Sequence, residues 1–473
     1  MPPRPVRVIG FAVRPASLAR TALRTVLACG ALLLVCGCRP APASSRIQLS
    51  YWEKWTGAEA AAMQATVDAF NASQDRIQVN LVSTSQADRK VLIATAGGDP
   101  PDLAGLWLKS LPSFADRDAL LPLDDFMRAD GIEPEAWLAR YAPAYSHLGR
   151  HEGRTYALPT TTTAVALHWN KALFRAAGLD PERPPRDLAE LEDFSRRLTR
   201  RDAAGNLVQA GFLPQDPGWW LWAQPLWFGG QFFDADGRVS VARDPASTAS
   251  FVWLRAQTEE YGLASLQRFS SGFGAFASAQ NAFFSGKVAM VVQGVWFNRF
   301  INEFAPGLEY GVGAWPSAAP SDSPDAPFTL IDADLIVIPR GARHPEASWE
   351  FLRYLASNNP RARARAELQG MEIVCFLQQK TSPLREWSSY FTENHPHPHA
   401  LFFKQLESSP GARHLPPSGV WQEYERELTT AAERIRLLDA TPADALGQVQ
   451  QRMETSLSLH QASLERQRRA AAK

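Results

Sequence analysis

Residues 46–83 read RIQLSYWEKWTGAEAAAMQATVDAFNASQDRIQVNLVS, and the way their pattern changes along the run decides the fold. RIQLSYW is a first strand. Thr56 stands where a helix N-cap belongs, with Glu59 three residues on as its capping-box partner. Met63, Val67 and Phe70 then recur at three- and four-residue steps, the period of an amphipathic helix over GAEAAAMQATVDAFNAS. RIQVNLVS is a second strand, DRKVLIATAGG a helix with a glycine stop, and PPDLAGLW the entry to a third strand. Strand, helix, strand, helix, strand is the doubly wound α/β pattern, in which a mostly parallel sheet is covered on both faces.

Working outward, RTYALPTTTTAVALHWNKALF (154–174) contains two extended pieces and then a helix that stops at Gly178. PPRDLAELEDFSRRLTRR is a helix opening after prolines. VAMVVQG is continuously apolar, as a buried strand is. YGVGAWP and ADLIVIP are two more strands, joined by the loop SAAPSDSPDAP. HPEASWEFLRYLAS is a helix, and the C-terminal third is mostly helical. A body this long carries two lobes rather than one.

The N-terminus is of another kind. Arg4, Arg7, Arg14, Arg20 and Arg24 have no acid among them and precede the apolar run TVLACGALLLVCG. A membrane-spanning helix needs about 20 apolar residues, so this shorter run reads as an export signal over 1–37. Its end, Val35-Cys36-Gly37-Cys38, resembles the bacterial lipoprotein cleavage box. That resemblance makes Cys38 the lipidated first residue and 38–45 a tether of proline, alanine and serine; the alternative is an ordinary signal cut near Ala43. The chain has a formal net charge of +0, and losing five arginines leaves the body mildly acidic, which argues against nucleic acid as a partner. Cys29 and Cys36 leave with the signal and Cys38 is acylated, so Cys375 has no partner for a disulfide.

YWEKWTG, AGGDPPDL, ALPTTTTAVALHWNKALFRAAGLD, FFSGKVAMVVQGVW, ADLIVIPRGARHPEASWEFL and KTSPLRE occur in one order along the body. Together they resemble the extracellular solute-binding proteins of bacterial ATP-driven importers, in the group that carries sugars. The resemblance implies a two-lobed fold of the periplasmic-binding-protein type II, each lobe a mostly parallel sheet flanked by helices. We expect 46–165 with 318–375 in the first lobe and 166–317 with 376–473 in the second, with crossings near Thr160–Ala166 and Gly313–Ala333. It also implies a cleft between the lobes, an ABC permease as partner, a monomer without cofactor or metal, and residence in the bacterial periplasm or on the outer face of the cytoplasmic membrane.

A sugar presents C–H patches to aromatic faces and hydroxyls to carboxylates and amides, so its site needs both residue types in a cleft. YWEKWTG follows a strand and precedes a helix, at the ligand-facing edge of a sheet. Trp52, Glu53 and Trp55 are its candidates, although Trp52 at a strand end also suits a core. The resemblance sets Gln293, Gly294 and Trp296 across the cleft, with Gly294 admitting a close backbone approach. GWWLWAQPLWFGG (218–230) holds four tryptophans. With Asp216 as a cap and Pro217 at its start, a helix here places Trp222 and Trp227 in the core and Trp219 or Trp220 against ligand, while Pro225 kinks or ends it. Asp332 and Asp334 share one side of a strand and either bind hydroxyls or solvate a hinge. Thr161 and Thr162 offer hydroxyls at the first crossing; Asp102 lines the cleft floor or caps a turn.

Three rival readings arise. Glu53 with Asp332 or Asp334 would suit a glycoside hydrolase, whose carboxyl groups lie about 5–9 Å apart. AGLDPERPPRDLAEL is reminiscent of glycerol-phosphate carriers, and a bound glycerol 3-phosphate or phosphodiester would require arginine or helix N-termini in the cleft. His395, His397 and His399 alternate with prolines that disfavour convergence on a metal, and read as a solvated loop.

Overall fold

The computed structural model describes residues 46–317 and 326–471. Cys38 and the whole of the expected signal and tether lie outside the described residues. Strand β1 (Ile47–Glu53), helix α1 (Gly57–Ser73), strand β2 (Ile77–Ser83), helix α2 (Ala87–Ala96) and strand β3 (Leu103–Trp107) follow one another as the opening pattern requires. β1 pairs in parallel with β2, from Ile47 opposite Ile77 to Glu53 opposite Ser83, and with β3 on its other side. Met63, Val67 and Phe70 are the buried stripe of α1. Thr56 sits at the N-cap with extended backbone, but its side chain makes no capping hydrogen bond, so the expected capping box is not formed.

Further along come β4 (Ala157–Asn170), β5 (Leu207–Phe212), β6 (Val288–Gly294), helix α3 (Phe297–Phe304), β7 (Tyr310–Gly313) and β8 (Thr329–Val337). β4 belongs to both lobes. Ala157–Ala164 pairs antiparallel with β8, which in turn pairs antiparallel with β3. From Val165 onward the same strand pairs antiparallel with β6 and β7, and β5 lies parallel to β6. The sheet order is β2-β1-β3-β8-β4-β6-β5. The expectation of a mostly parallel sheet therefore fails at the centre of the molecule. Antiparallel neighbours need no crossover helix between them, which suits β4 and β8, the two strands joined where the lobes meet.

Two devices fix that junction. Pro159 has no N–H to give the ladder, and the register slips between Asp334 and Leu335. The Thr160 hydroxyl fills the gap by donating to the Asp334 carbonyl at 3.1 Å. Where β4 changes partners, the buried Thr329 hydroxyl accepts from Val165 N–H at 3.1 Å and donates to the Val165 carbonyl at 2.8 Å.

Each lobe has its own apolar core. The first gathers Leu49, Met63 and Phe70 with Phe351 of helix α4 (Pro345–Leu355) and Val374 and Cys375 of helix α5 (Met371–Gln378). The second gathers Trp169, Trp227 and Trp253 with Trp421 and Tyr424 of helix α6 (Trp421–Arg436), and Leu446 and Val449 of helix α7 (Pro442–Ala471). The expected boundary at residue 375 is displaced. Phe376, Leu384, Trp387 and Phe391 pack in the first core, and Phe403 and Leu406 pack between the lobes with Ala164 and Ile331. Beyond this segment the chain reaches the second core at Leu415 and Val420, because the apolar face of Phe403 and Leu406 covers the crossing first. Among the described residues no helix is long and apolar enough to cross a membrane.

Replacing Thr329 by Val keeps the shape and deletes both hydroxyl bonds at the crossing. Chemical denaturation is expected to show a loss of about 1–3 kcal/mol, the cost of leaving buried backbone groups unpaired; an unchanged unfolding midpoint would mean that water replaces the hydroxyl.

Candidate functional site

β1 ends at Glu53 and α1 begins at Gly57, so Lys54 and Trp55 sit at the carboxyl edge of the sheet, where open α/β sheets bind ligands. Lys54 is buried here. Its Nζ lies 3.2 Å from Asp334 Oδ1 and 3.3 Å from Glu53 Oε1. Lys380, from the loop after α5, brings its Nζ to 3.2 Å from Asp334 Oδ2 and 3.7 Å from Glu59 Oε1. The Thr161 hydroxyl donates to Asp334 Oδ2. Burial alone would raise the Asp334 carboxyl, but Lys380, Lys54 and the Thr161 hydroxyl outweigh it and hold the group at about 2. Burial opposes the charge of both lysines as well, and the carboxylates of Asp334, Glu53 and Glu59 push them up instead.

The two ammonium groups also order the aromatics. Lys54 Nζ lies 4.6 Å from the ring centre of Trp55 and 4.7 Å from that of Trp107; Lys380 Nζ lies 5.1 Å from Trp55. Cations this close to indole faces are attracted by the ring quadrupole. From the other lobe, Trp296 stands with ring centres 6.3 Å from both Trp219 and Trp220, and Trp219 meets Phe276 at 4.6 Å. Trp220 is oriented by its own N–H, which donates to the Val292 carbonyl at 3.1 Å. A cavity of about 380 Å³ exists elsewhere on the surface, but the one enclosed by these rings has about 650 Å³. Besides the indoles, Glu59, Asp332, Asp334 and Glu425 supply its carboxyl groups. Burial, and then the charge of Asp334, push Asp332 up to about 7.

Six of the sequence candidates line this cavity: Trp55, Trp219, Trp220, Trp296, Asp332 and Asp334. The others support it or lie away from it. Trp52 is half-buried and packs against the core between the lobes. Glu53 is buried and spent: Tyr51 O–H donates to Oε2, and Lys54 N–H donates to Oε1 at 2.7 Å. Asp102 braces two elements, accepting from Ser50 N–H at 2.8 Å and from His344 N–H at 3.1 Å. The Thr162 hydroxyl donates to the Thr381 carbonyl at 2.9 Å. Gln293 is buried. Gly294 lies under the ring of Trp296; a Cβ there would come within 2.1 Å of it. The close approach at Gly294 is therefore made by an indole of the protein itself.

Two expectations are corrected. No helix starts at Pro217: Asp216-Pro217 is a cis peptide, Gly218 has φ +90°, and only a 3₁₀ turn (Leu221–Ala223) and a four-residue helix (Gln224–Trp227) follow. The single helix expected over this run therefore does not exist, although Trp222 and Trp227 are buried and Trp219 is 41% exposed. The 395–399 tract is not a solvated loop. His397 is buried, with its ring centre 5.2 Å from that of Phe403. His395 Nδ1 accepts from His397 N–H at 3.1 Å and His397 Nδ1 from His399 N–H at 3.0 Å, so the rings cap the chain's own backbone. Sequence reasoning missed Glu59, Trp107, Lys109, Phe276, Phe300, Lys380 and Glu425. Trp107 had a signal, since it ends a third strand as Glu53 ends the first. Lys380 and Glu425 had none, because ion pairing over long separations leaves no local pattern.

Comparison with known proteins identifies the family and the fold. The model of the family described as bacterial extracellular solute-binding protein matches residues 54–361. The chain is 23% identical to the sn-glycerol-3-phosphate-binding periplasmic protein UgpB of Pectobacterium atrosepticum, over 71% of this chain and 74% of that one. It is 21% identical to a maltotriose-binding protein of Pyrococcus abyssi, over 65% and 62%. The solved structure of CpMnBP1 with mannotriose bound superposes with a TM-score of 0.72 at 24% identity, covering 86% of this chain and 99% of that one, a likeness of fold.

Asp334→Asn would leave Lys54 and Lys380 buried without their shared counter-charge. Breaking a buried pair in this way costs about 3–5 kcal/mol, so the melting temperature of the ligand-free protein is expected to fall steeply; a variant as stable as the parent would show that Glu53 and Glu59 suffice.

Proposed function

The chain belongs to the bacterial extracellular solute-binding protein family, and on that premise we propose that it captures a sugar or oligosaccharide between its lobes and delivers it to an ABC permease. The observation that carries this reading is the cavity walled by Trp55, Trp107, Trp219, Trp220 and Trp296, with Asp332, Glu59 and Glu425 among them. Indole faces suit the C–H faces of sugar rings, and the carboxyl groups suit their hydroxyls. A ligand touching both lobes binds the closed arrangement better than the open one and shifts the population toward closure, by bending at β4 and at the return to β8. The closed form then docks on the permease. Lipidation of Cys38 would hold a monomer at the outer face of the cytoplasmic membrane or in the periplasm.

No chemistry on the ligand belongs to this reading. Both oxygens of Glu53 are occupied, so the carboxylate that either Asp332 or Asp334 would need as its glycosidase partner is not free, and Asp334 is itself shared between two lysines. Glycerol phosphate, the ligand in the name of the UgpB relatives, is the second reading. It is disfavoured in the aromatic cavity because Lys380 is matched by Asp334 and Glu59, and Lys109 by Glu425 at 3.0 Å.

Trp296→Ala is expected to weaken saccharide binding by about 10-fold or more, the cost of losing one aromatic face. Trp219→Ala should do the same with a smaller drop in melting temperature than loss of a buried indole would cause, since Trp219 is 41% exposed. A thermal-shift screen of sugars and glycerol phosphate finds the ligand and calorimetry measures the loss; unchanged affinities would remove these rings from the site. Asp332 offers a pH test. Its carboxyl is neutral below about 7, and sugar hydroxyls favour the carboxylate, so affinity should rise from pH 6 to pH 8. Asp332→Asn should flatten that profile, and a profile that survives the substitution assigns it to another group.

A further inference from the structure

Beyond the aromatic cavity the groove continues into a second chamber of about 920 Å³. The two share Trp107 and Lys109 in their walls. Their linings differ in kind. The second chamber carries the cations Lys54, Arg89, Lys109, Arg117 and Arg426 against two carboxyl groups, Asp88 and Glu423. The excess is local, because the whole chain has a formal net charge of +0.

Most of the matched charges can be subtracted. Lys54 is held by Asp334 and Glu53, and Lys109 by Glu425. Three arginines remain. Among the described residues none of Arg89, Arg117 and Arg426 has a carboxylate within ion-pair distance; Arg117 donates only to the Ser113 carbonyl at 2.6 Å. All three are exposed to the groove side of the molecule. Two carboxyl groups stand against these three guanidinium groups, which leaves a positive excess. Asp88 accepts from the Ser110 hydroxyl, and burial pushes its carboxyl up toward the neutral form. Glu423 accepts from the Ser456 hydroxyl at 2.5 Å. Arg89 comes from α2 in the first lobe and Arg426 from α6 in the second, so an anion between them would draw the lobes together. Guanidinium forks match carboxylate and phosphate oxygens in pairs, and a concave wall of one sign concentrates counter-charge.

We infer that the second chamber receives an acidic group, a carboxylate or a phosphate ester, and that the ligand is an anionic saccharide lying across Trp107 with its remaining rings in the aromatic cavity. This rests on the saccharide reading and narrows it to one class.

Calorimetric titration of the protein with mannotriose and maltotriose, with trigalacturonate and with glucose 6-phosphate tests it, and the two acids separate the carboxylate source from the phosphate source. At about 20 mM NaCl at least one acid should bind about 10-fold more tightly than the neutral sugars, and the advantage should shrink at about 300 mM, where screening is strong. The double variant Arg89→Gln/Arg426→Gln should lose that advantage while any neutral affinity changes by less than about 2-fold, as expected for residues outside the aromatic cavity. An acid that binds where no neutral sugar does, and loses affinity in the variant, supports the inference equally. Neutral binding with no acid preferred, or a preference that survives the double variant, overturns the inference and leaves the saccharide reading standing. Binding of none of the four overturns both.

Discussion

A carboxylate with almost no access to water needs its charge matched on the spot, and Asp334 meets that need with two lysines from different parts of the chain. Lys54 comes from the end of the first strand and Lys380 from the loop after α5, while Asp334 itself rides on the strand that returns between the lobes. Neither attraction is strong once desolvation is subtracted, but removing any member leaves the others exposed to the full penalty. The cluster thus ties three remote segments to one point. Because both ammonium groups also face Trp55, the same point determines where the first lobe presents its indole.

The second lobe meets that surface with a different kind of order. Its tryptophans lean on one another: Trp219 and Trp220 against Trp296, and Trp220 and Trp227 against Trp315. Here packing rather than charge fixes the rings, and the cavity lies between an electrostatically pinned wall and an apolar one. Trp107 and Lys109, at the seam between the two chambers, mark where the aromatic lining gives way to arginine.

Much of the architecture was readable from residues 46–107, because strand and helix periods are local properties and each is written in consecutive side chains. Six of thirteen candidates line the cavity, and the misses have identifiable causes. Alternation along β1 places Glu53 on one side, but only the partners reveal that Tyr51 and Lys54 have consumed its oxygens. The placing of the four tryptophans assumed an unbroken helix from Pro217, and Gly218, with positive φ, does not allow it. The burial of Trp222 and Trp227 followed anyway, since residues this large and apolar find the core by more than one backbone route. The histidine tract departs from its expectation because hydrophilic composition suggests water, whereas backbone N–H groups of the tract itself bond to the Nδ1 atoms of His395 and His397.

The fourteen residues of β4 serve both halves of the sheet in one run. Side chains along a strand alternate sides, so one extra residue reverses the facing of everything beyond it. An insertion near Pro159 would turn the remainder of the strand inside out against β6, and one near His168 would do so only to its tip. The length of this segment is consequently under a parity constraint that the surrounding loops escape. Divergence among proteins built on the same plan should therefore lengthen those loops freely while leaving the count between Ala157 and Asn170 even.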